Sequence, residues 1–194
     1  MWRSATSSEG HRGAVTAALG AAALALLAMP AAGRVLLSVE EALRLVFPGA
    51  QVERSTVFLT DAQRERAVAL AGDDAVAGIV HPYMARRDGE LVGTAYFDTH
   101  RVRTLAETVM VVVDPEGRVR RVEVLSFDEP PDYLPRAEWY RQFDGHPLSA
   151  GLAVGRDVRG VTGATLTVGA TAGAVRRVLA VHAAIGEKQE SPAP

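Results

Sequence analysis

TLAETVMVVV, residues 104–113, leads through DPEG, residues 114–117, into RVRRVEVLSF, residues 118–127. Both outer runs are rich in β-branched residues (Val109, Val111, Val112, Val113, Val119, Val122 and Val124), and the residues between them are turn formers, so the stretch reads as a β-hairpin. Over residues 110–113 the alternation of apolar and polar side chains is lost, which predicts a strand covered on both faces. Just upstream, residues 77–87 and 90–98 flank Asp88-Gly89, a pair that accommodates the positive φ of a tight turn. Two hairpins in succession predict an antiparallel sheet.

Working outward, Asp128-Glu129-Pro130-Pro131-Asp132-Tyr133 ends the second hairpin, because consecutive prolines cannot continue a ladder. Residues 136–143 read as a short helix whose Trp139, Tyr140 and Phe143 serve core or loop packing. A glycine-punctuated connection, 145–160, precedes a long closing helix over 163–185, with Val175, Val178, Leu179, His182 and Ile185 on one face. That face should pack on the sheet. Towards the N-terminus, Ser38 with Glu41 and Thr60 with Gln63 are capping boxes. They open a short helix ended by Phe47-Pro48-Gly49 and a second helix reaching Ala71, with a strand over 51–59 between them. The fold expected is α+β, a twisted antiparallel sheet built from hairpins and flanked by helices.

Met1 to Gly33 places Arg3 and Arg12 ahead of an apolar, Ala-rich run and small residues, the pattern of an export signal or a membrane anchor. The expected organisation is therefore a leader over 1–33, a helix-strand-helix region over 34–74 packing on the domain, a main domain over 75–187, and a polar, disordered tail over 188–194. A formal net charge of −2 over 194 residues supplies no basic field, which argues against nucleic acid as a partner. With no cysteine, thiolate metal sites, iron–sulfur clusters and disulfides are excluded. His11, His81, His100, His146 and His182 lack the paired spacing of a metal site; His182 reads as a packed imidazole and His100 carries no signal. Arg101 and Arg103 read as exposed cations. No nucleophile elbow, Walker loop or dinucleotide fingerprint is present, so no catalytic residue is assigned.

Ahead of the closing helix stands Val161-Thr162-Gly163-Ala164-Thr165-Leu166-Thr167. Thr162 reads as the N-cap and Gly163-Ala164 as a bare first turn. Amides of Gly163, Ala164 and Thr165 would then be open to an oxyanion, aided by the helix dipole. The competing reading is a capped helix and nothing more.

Thr162-Gly163-Ala164-Thr165 at the start of a C-terminal helix resembles the attachment motif of the FMN-binding domain family, as in the small covalent-flavin subunits of the sodium-translocating NADH:quinone oxidoreductase and the Rnf complexes. The resemblance implies FMN joined through its phosphate to Thr165 by a flavin transferase, with Thr162 orienting the phosphate and Gly163 and Ala164 supplying amides. Leu166 and Thr167 complete the cofactor-binding turn, and Thr167 is the second candidate for attachment. Glu129-Pro130 resembles the family's acidic, Pro-containing loop lying towards the flavin; a plain acidic turn is the equal alternative. Two positions depart from the pattern. Arg159 stands where the family carries Asp, with Asp157 the nearest acid, and no Gly follows Glu129-Pro130. Gly169-Ala170-Thr171 echoes the motif inside the helix, where Val168 replaces its hydroxyl residue. The implied function is an extracytoplasmic electron-transfer flavoprotein working within or towards a membrane-bound electron-transfer complex. A flavin-dependent reductase and a cofactor-free interaction domain are the alternatives.

Overall fold

The computed structural model describes residues 34–186. The leader over 1–33 and the tail over 188–194 lie outside them. The architecture is the α+β fold expected, a six-stranded sheet in the order β1-β8-β7-β6-β5-β2 in which every neighbouring pair is antiparallel. Its centre is formed by β5 (Tyr83–Arg87), β6 (Glu90–Arg101), β7 (Ala106–Val113) and β8 (Val119–Phe127). The edges are β1 (Arg34–Val35) and β2 (Gln51–Arg54). Asp88 at φ 53° and Gly89 at φ 87° make the left-handed turn that joins β5 to β6.

Both faces of the sheet are covered, which explains the lost alternation in β7: residues 109 to 113 are all fully buried. Val109, Val111 and Val113 pack with Val119, Val122 and Tyr96 against α2 (Asp61–Ala71), α3 (Ala137–Tyr140) and α4 (Thr165–Gly186). Met110 and Val112 point the other way, into a smaller cluster with Ala42, Val46 and Phe47 from α1 (Val39–Val46) and its C-cap. Trp139, Tyr140 and Phe143 are buried core residues, with α3 giving way to a 3-10 turn over Arg141–Phe143. His182 is the packed imidazole expected, edge-on to Tyr96 and hydrogen-bonded to its hydroxyl at 2.9 Å.

Three boundaries differ from expectation. The strand expected over 51–59 is two, β2 and β3 (Val57–Phe58), and its partner over 77–87 is likewise β4 (Ile79–Val80) and β5. Each breaks opposite the other, at Ser55-Thr56 and His81-Pro82. Pro82 has no amide to extend the ladder, so its carbonyl takes the Ser55 amide at 3.0 Å while the Thr56 hydroxyl meets His81 Nδ1 at 3.1 Å. Next, β6 runs on to Arg101 and β7 starts only at Ala106, leaving residues 102–105 as the turn. Last, α4 begins at Thr165 and not at Gly163, so Thr162 is no N-cap. Residues 161–164 instead form a tight turn closed by Ala164 N–H to Val161 C=O at 3.1 Å, with Gly163 at φ 87°.

Candidate functional site

The start of α4 faces the β6–β7 turn across a pocket of about 200 Å³. Val102 and Arg103 come from the turn, Glu129 and Tyr133 from the segment after β8, and residues 163–167 from the helix start. Sequence motif and acidic loop therefore share one pocket. Larger cavities of about 460, 380 and 370 Å³ contain no residue of the motif and lie against α1 and the segment after it, against β8 with α3, and against β4 and β6 with α4.

The first α4 hydrogen bond runs from Val168 N–H to Ala164 C=O at 3.0 Å, so the amides of Thr165, Leu166 and Thr167 have no acceptor within the helix. The anion seat expected on Gly163, Ala164 and Thr165 is thus displaced towards Thr167. Gly163 still matters: its positive φ suits glycine, and a Cβ there would meet no neighbouring atom within 4 Å, so the space beside it is open. Thr165 is exposed and Leu166 is 57% exposed. Thr167, by contrast, is 1% exposed and donates its hydroxyl to the Tyr133 carbonyl at 2.8 Å. The two threonines of this turn are chemically distinct.

Glu129 is 5% exposed, and one of its carboxylate oxygens is held by the β6–β7 turn. Its Oε1 accepts the amides of Leu105 at 2.8 Å, Thr104 at 2.6 Å and Arg103 at 3.2 Å, and the Thr104 hydroxyl at 3.3 Å. Hydrogen bonds from the Leu105 and Thr104 amides, chiefly, hold its carboxyl below the ordinary carboxylate range. Glu129 thereby shapes the turn that walls the pocket. Arg159 is exposed and does not line it; its backbone N–H and Nε donate to Gln142 Oε1 at 3.0 and 3.2 Å, and its carbonyl accepts Trp139 Nε1–H at 2.7 Å.

Beside the pocket runs a chain of buried polar groups that sequence reasoning missed. Glu107, fully buried on β7, places Oε2 2.8 Å from the Thr171 hydroxyl and 3.0 Å from His100 Nε2, while Tyr140 donates to its Oε1 at 3.4 Å. His100 Nδ1 lies 2.9 Å from Asp98, which Arg177 holds at 2.9 and 3.2 Å while also reaching Asp73 at 2.6 Å. Burial works to lower the His100 pKa, but hydrogen bonds to Asp98 and Glu107, and their charges, outweigh it and hold it at about 9. Burial likewise works to raise Asp98, and the bonds from His100 and Arg177 win, leaving it below its ordinary value. One signal was available: Glu107 occupies the inward position two residues before Val109, where an apolar side chain is expected. The Gly-Ala-Thr echo supplied another, since Thr171 is its last residue.

An FMN fits this pocket in part. Free amides at a helix start suit its phosphate, and Leu166 offers apolar surface beside them. The volume falls below the roughly 300–1,000 Å³ usual for sites that enclose a ligand, so the remainder of the cofactor would lie at the rim. Among the described residues no group of His, Asp and Glu is arranged to hold a metal ion.

Comparison with known proteins accords with this geometry. Residues 106–180, from the start of β7 into α4, match the FMN-binding domain. The chain is also similar to one subunit of the ion-translocating oxidoreductase complex of Stutzerimonas stutzeri, at 32% identity over 87 residues, 40% of this chain and 36% of that protein. It thus matches little more than a third of that relative's length. The resemblance carried by the motif holds: residues 106–180, which include it, are similar to the FMN-binding domain, and FMN is the cofactor that this similarity supports.

Proposed function

We propose that this protein is an extracytoplasmic electron-transfer flavoprotein whose FMN is joined by a phosphoester to Thr165 and which relays electrons within or to a membrane redox complex. The observation that carries the reading is the contrast within one helical turn: Thr165 is exposed at the rim of the pocket, whereas the Thr167 hydroxyl is buried and engaged. Thr165 also sits at the first helical position, beside the free amides, where the helix dipole favours a phosphate. Thr162, in the turn before the helix, would border that phosphate. Glu129 would act through the turn it organises.

A covalent tether suits a pocket this shallow, because an exported protein would otherwise lose a partly enclosed cofactor to dilution. Attachment needs a flavin transferase and an activated donor such as a flavin dinucleotide. The bond from Thr165 Oγ1 to the flavin phosphorus forms as the phosphorus–oxygen bond to the nucleotide half breaks, and the hydroxyl proton passes to solvent. Once bound, FMN can accept two electrons and release them singly. The likeness to a component of an ion-translocating oxidoreductase complex supports a membrane complex as the partner. Export rests on the leader read in residues 1–33. Within the described residues, α4 is long and apolar enough to cross a membrane, but most of its apolar residues are buried in the core beneath the sheet.

The test is an intact mass, with in-gel flavin fluorescence after denaturation, for full chain exported alongside a flavin transferase. Wild type and Thr167→Val should gain the mass of one FMN less water, and Thr165→Val should not. Absence of any adduct and of bound yellow cofactor in the wild type would instead favour a cofactor-free interaction domain, with Arg159 marking the lost motif.

A further inference from the structure

The β6–β7 turn and the start of α4 are the two walls of the pocket, and they belong to elements far apart in sequence. Glu129 organises the turn internally but does not tie it to the helix. The group that does is Glu107. It follows the turn by two residues, it is fully buried, and its Oε2 lies 2.8 Å from the hydroxyl of Thr171 on α4. Thr171 is itself fully buried and lies 2.9 Å from the Thr167 carbonyl, so one hydroxyl is shared between the strand carboxylate and the first turn of the helix. Across the hairpin, His100 is the register partner of Glu107 and bonds to the same Oε2 at 3.0 Å, closing the base of the turn.

We infer that Glu107 and Thr171 are positioning residues for the flavin pocket, fixing the separation between the 102–105 turn and the helix start, with His100 locking the strand pair behind them. The inference rests on the flavin reading for its purpose, but its geometry stands without the cofactor. Removing the Thr171 hydroxyl frees the helix start from the turn and leaves the carboxylate with His100 and Tyr140, so the pocket walls separate while the sheet persists. A purely structural role would weaken the whole domain evenly.

The experiment uses full chain made with a flavin transferase, as wild type, Thr171→Val, Thr171→Ser and His100→Gln. Amide hydrogen exchange at pH 7 is followed for peptides covering 102–107 and 163–168, with 83–95 as the reference; iodide quenching and the midpoint potential of the bound flavin are measured on the same samples. In Thr171→Val the pocket peptides should exchange about tenfold faster, the factor expected on losing one hydrogen bond to a charged group. The reference should be unchanged, iodide should reach the flavin more readily, and the potential should move. His100→Gln should act in the same direction, and Thr171→Ser should restore wild-type values. Unchanged exchange at 102–107 in Thr171→Val, or acceleration shared equally by 83–95, would overturn the inference. If the wild type carries no flavin but its pocket peptides still respond to Thr171→Val, the positioning role stands and the flavin assignment falls.

Discussion

Because the Thr167 hydroxyl donates to the Tyr133 carbonyl at 2.8 Å in a buried setting, Thr167→Val should cost on the order of 1 kcal/mol, seen as a lower urea midpoint with an unchanged slope. Thr165→Val, at an exposed position, should be within about 0.5 kcal/mol of wild type. Flavinylation should follow the opposite ranking, so stability and attachment are separable within one turn. Sequence reading placed Thr165 ahead of Thr167 through family resemblance alone. The physical ground, that one hydroxyl is engaged and the other is not, depends on Tyr133, which is brought to the helix by a 3-10 turn over Pro131–Tyr133 that no local pattern announces. His100 was illegible for a similar reason: its partners Asp98 and Glu107 meet it only through strand geometry and register. Arg159, the departure that most threatened the motif, is held on Gln142 outside the pocket.

At the scale of elements, the β6–β7 turn is held by titrating groups of both signs, which sets a pH window. Glu129 and Asp98 have lowered pKa values, so their contribution is present above the ordinary carboxylate range and is lost as pH falls through the folded values. His100 has the opposite sense. It is faced by Asp98 on its own strand and Glu107 on β7, and beyond these stand Arg177 on α4, Tyr140 on α3 and Asp73 after α2. Its contribution is complete below 6.5, the ordinary value, and is lost as pH rises through about 9; the shift corresponds to on the order of 3 kcal/mol. Urea midpoints from pH 4 to 10 should therefore fall at both ends. His100→Gln should flatten the alkaline limb, and Glu129→Gln the acidic one. If the alkaline limb of His100→Gln matches wild type, the imidazole is not charged in the fold. Elements were read well where periodicity is strong, as in the two hairpins and α4. They were misread where the chain changes partner, at Pro82 and at the α4 start, because tertiary pairing decides those boundaries.

For the whole molecule, the sheet divides the core into two layers that share the strands but not the helices. The lost alternation in β7 announced this, since only a strand buried on both sides carries Val109, Met110, Val111, Val112 and Val113 without a polar break. What covers the second face was not legible, because α1 is short and Phe47 reads locally as a helix stop. In the fold, Phe47 is 3% exposed and lies under β6, where a Cβ on Gly93 would approach its ring to 3.1 Å. Gly93 is at φ 154° and also faces the Val113 carbonyl at 3.1 Å, so the ring and the strand leave no room for a side chain. Phe47→Ala should cost about 3–5 kcal/mol through the cavity it leaves. The pocket lies across the sheet, on the α4 side, and none of its lining residues belongs to the Phe47 layer. Well below the melting temperature, flavin attachment and exchange at 102–107 should therefore match wild type, although the urea midpoint drops. A Phe47→Ala protein that loses attachment while still fully folded would mean that the two layers act as one, and that the site is set by the sheet's curvature and not by the Glu107–Thr171 tie.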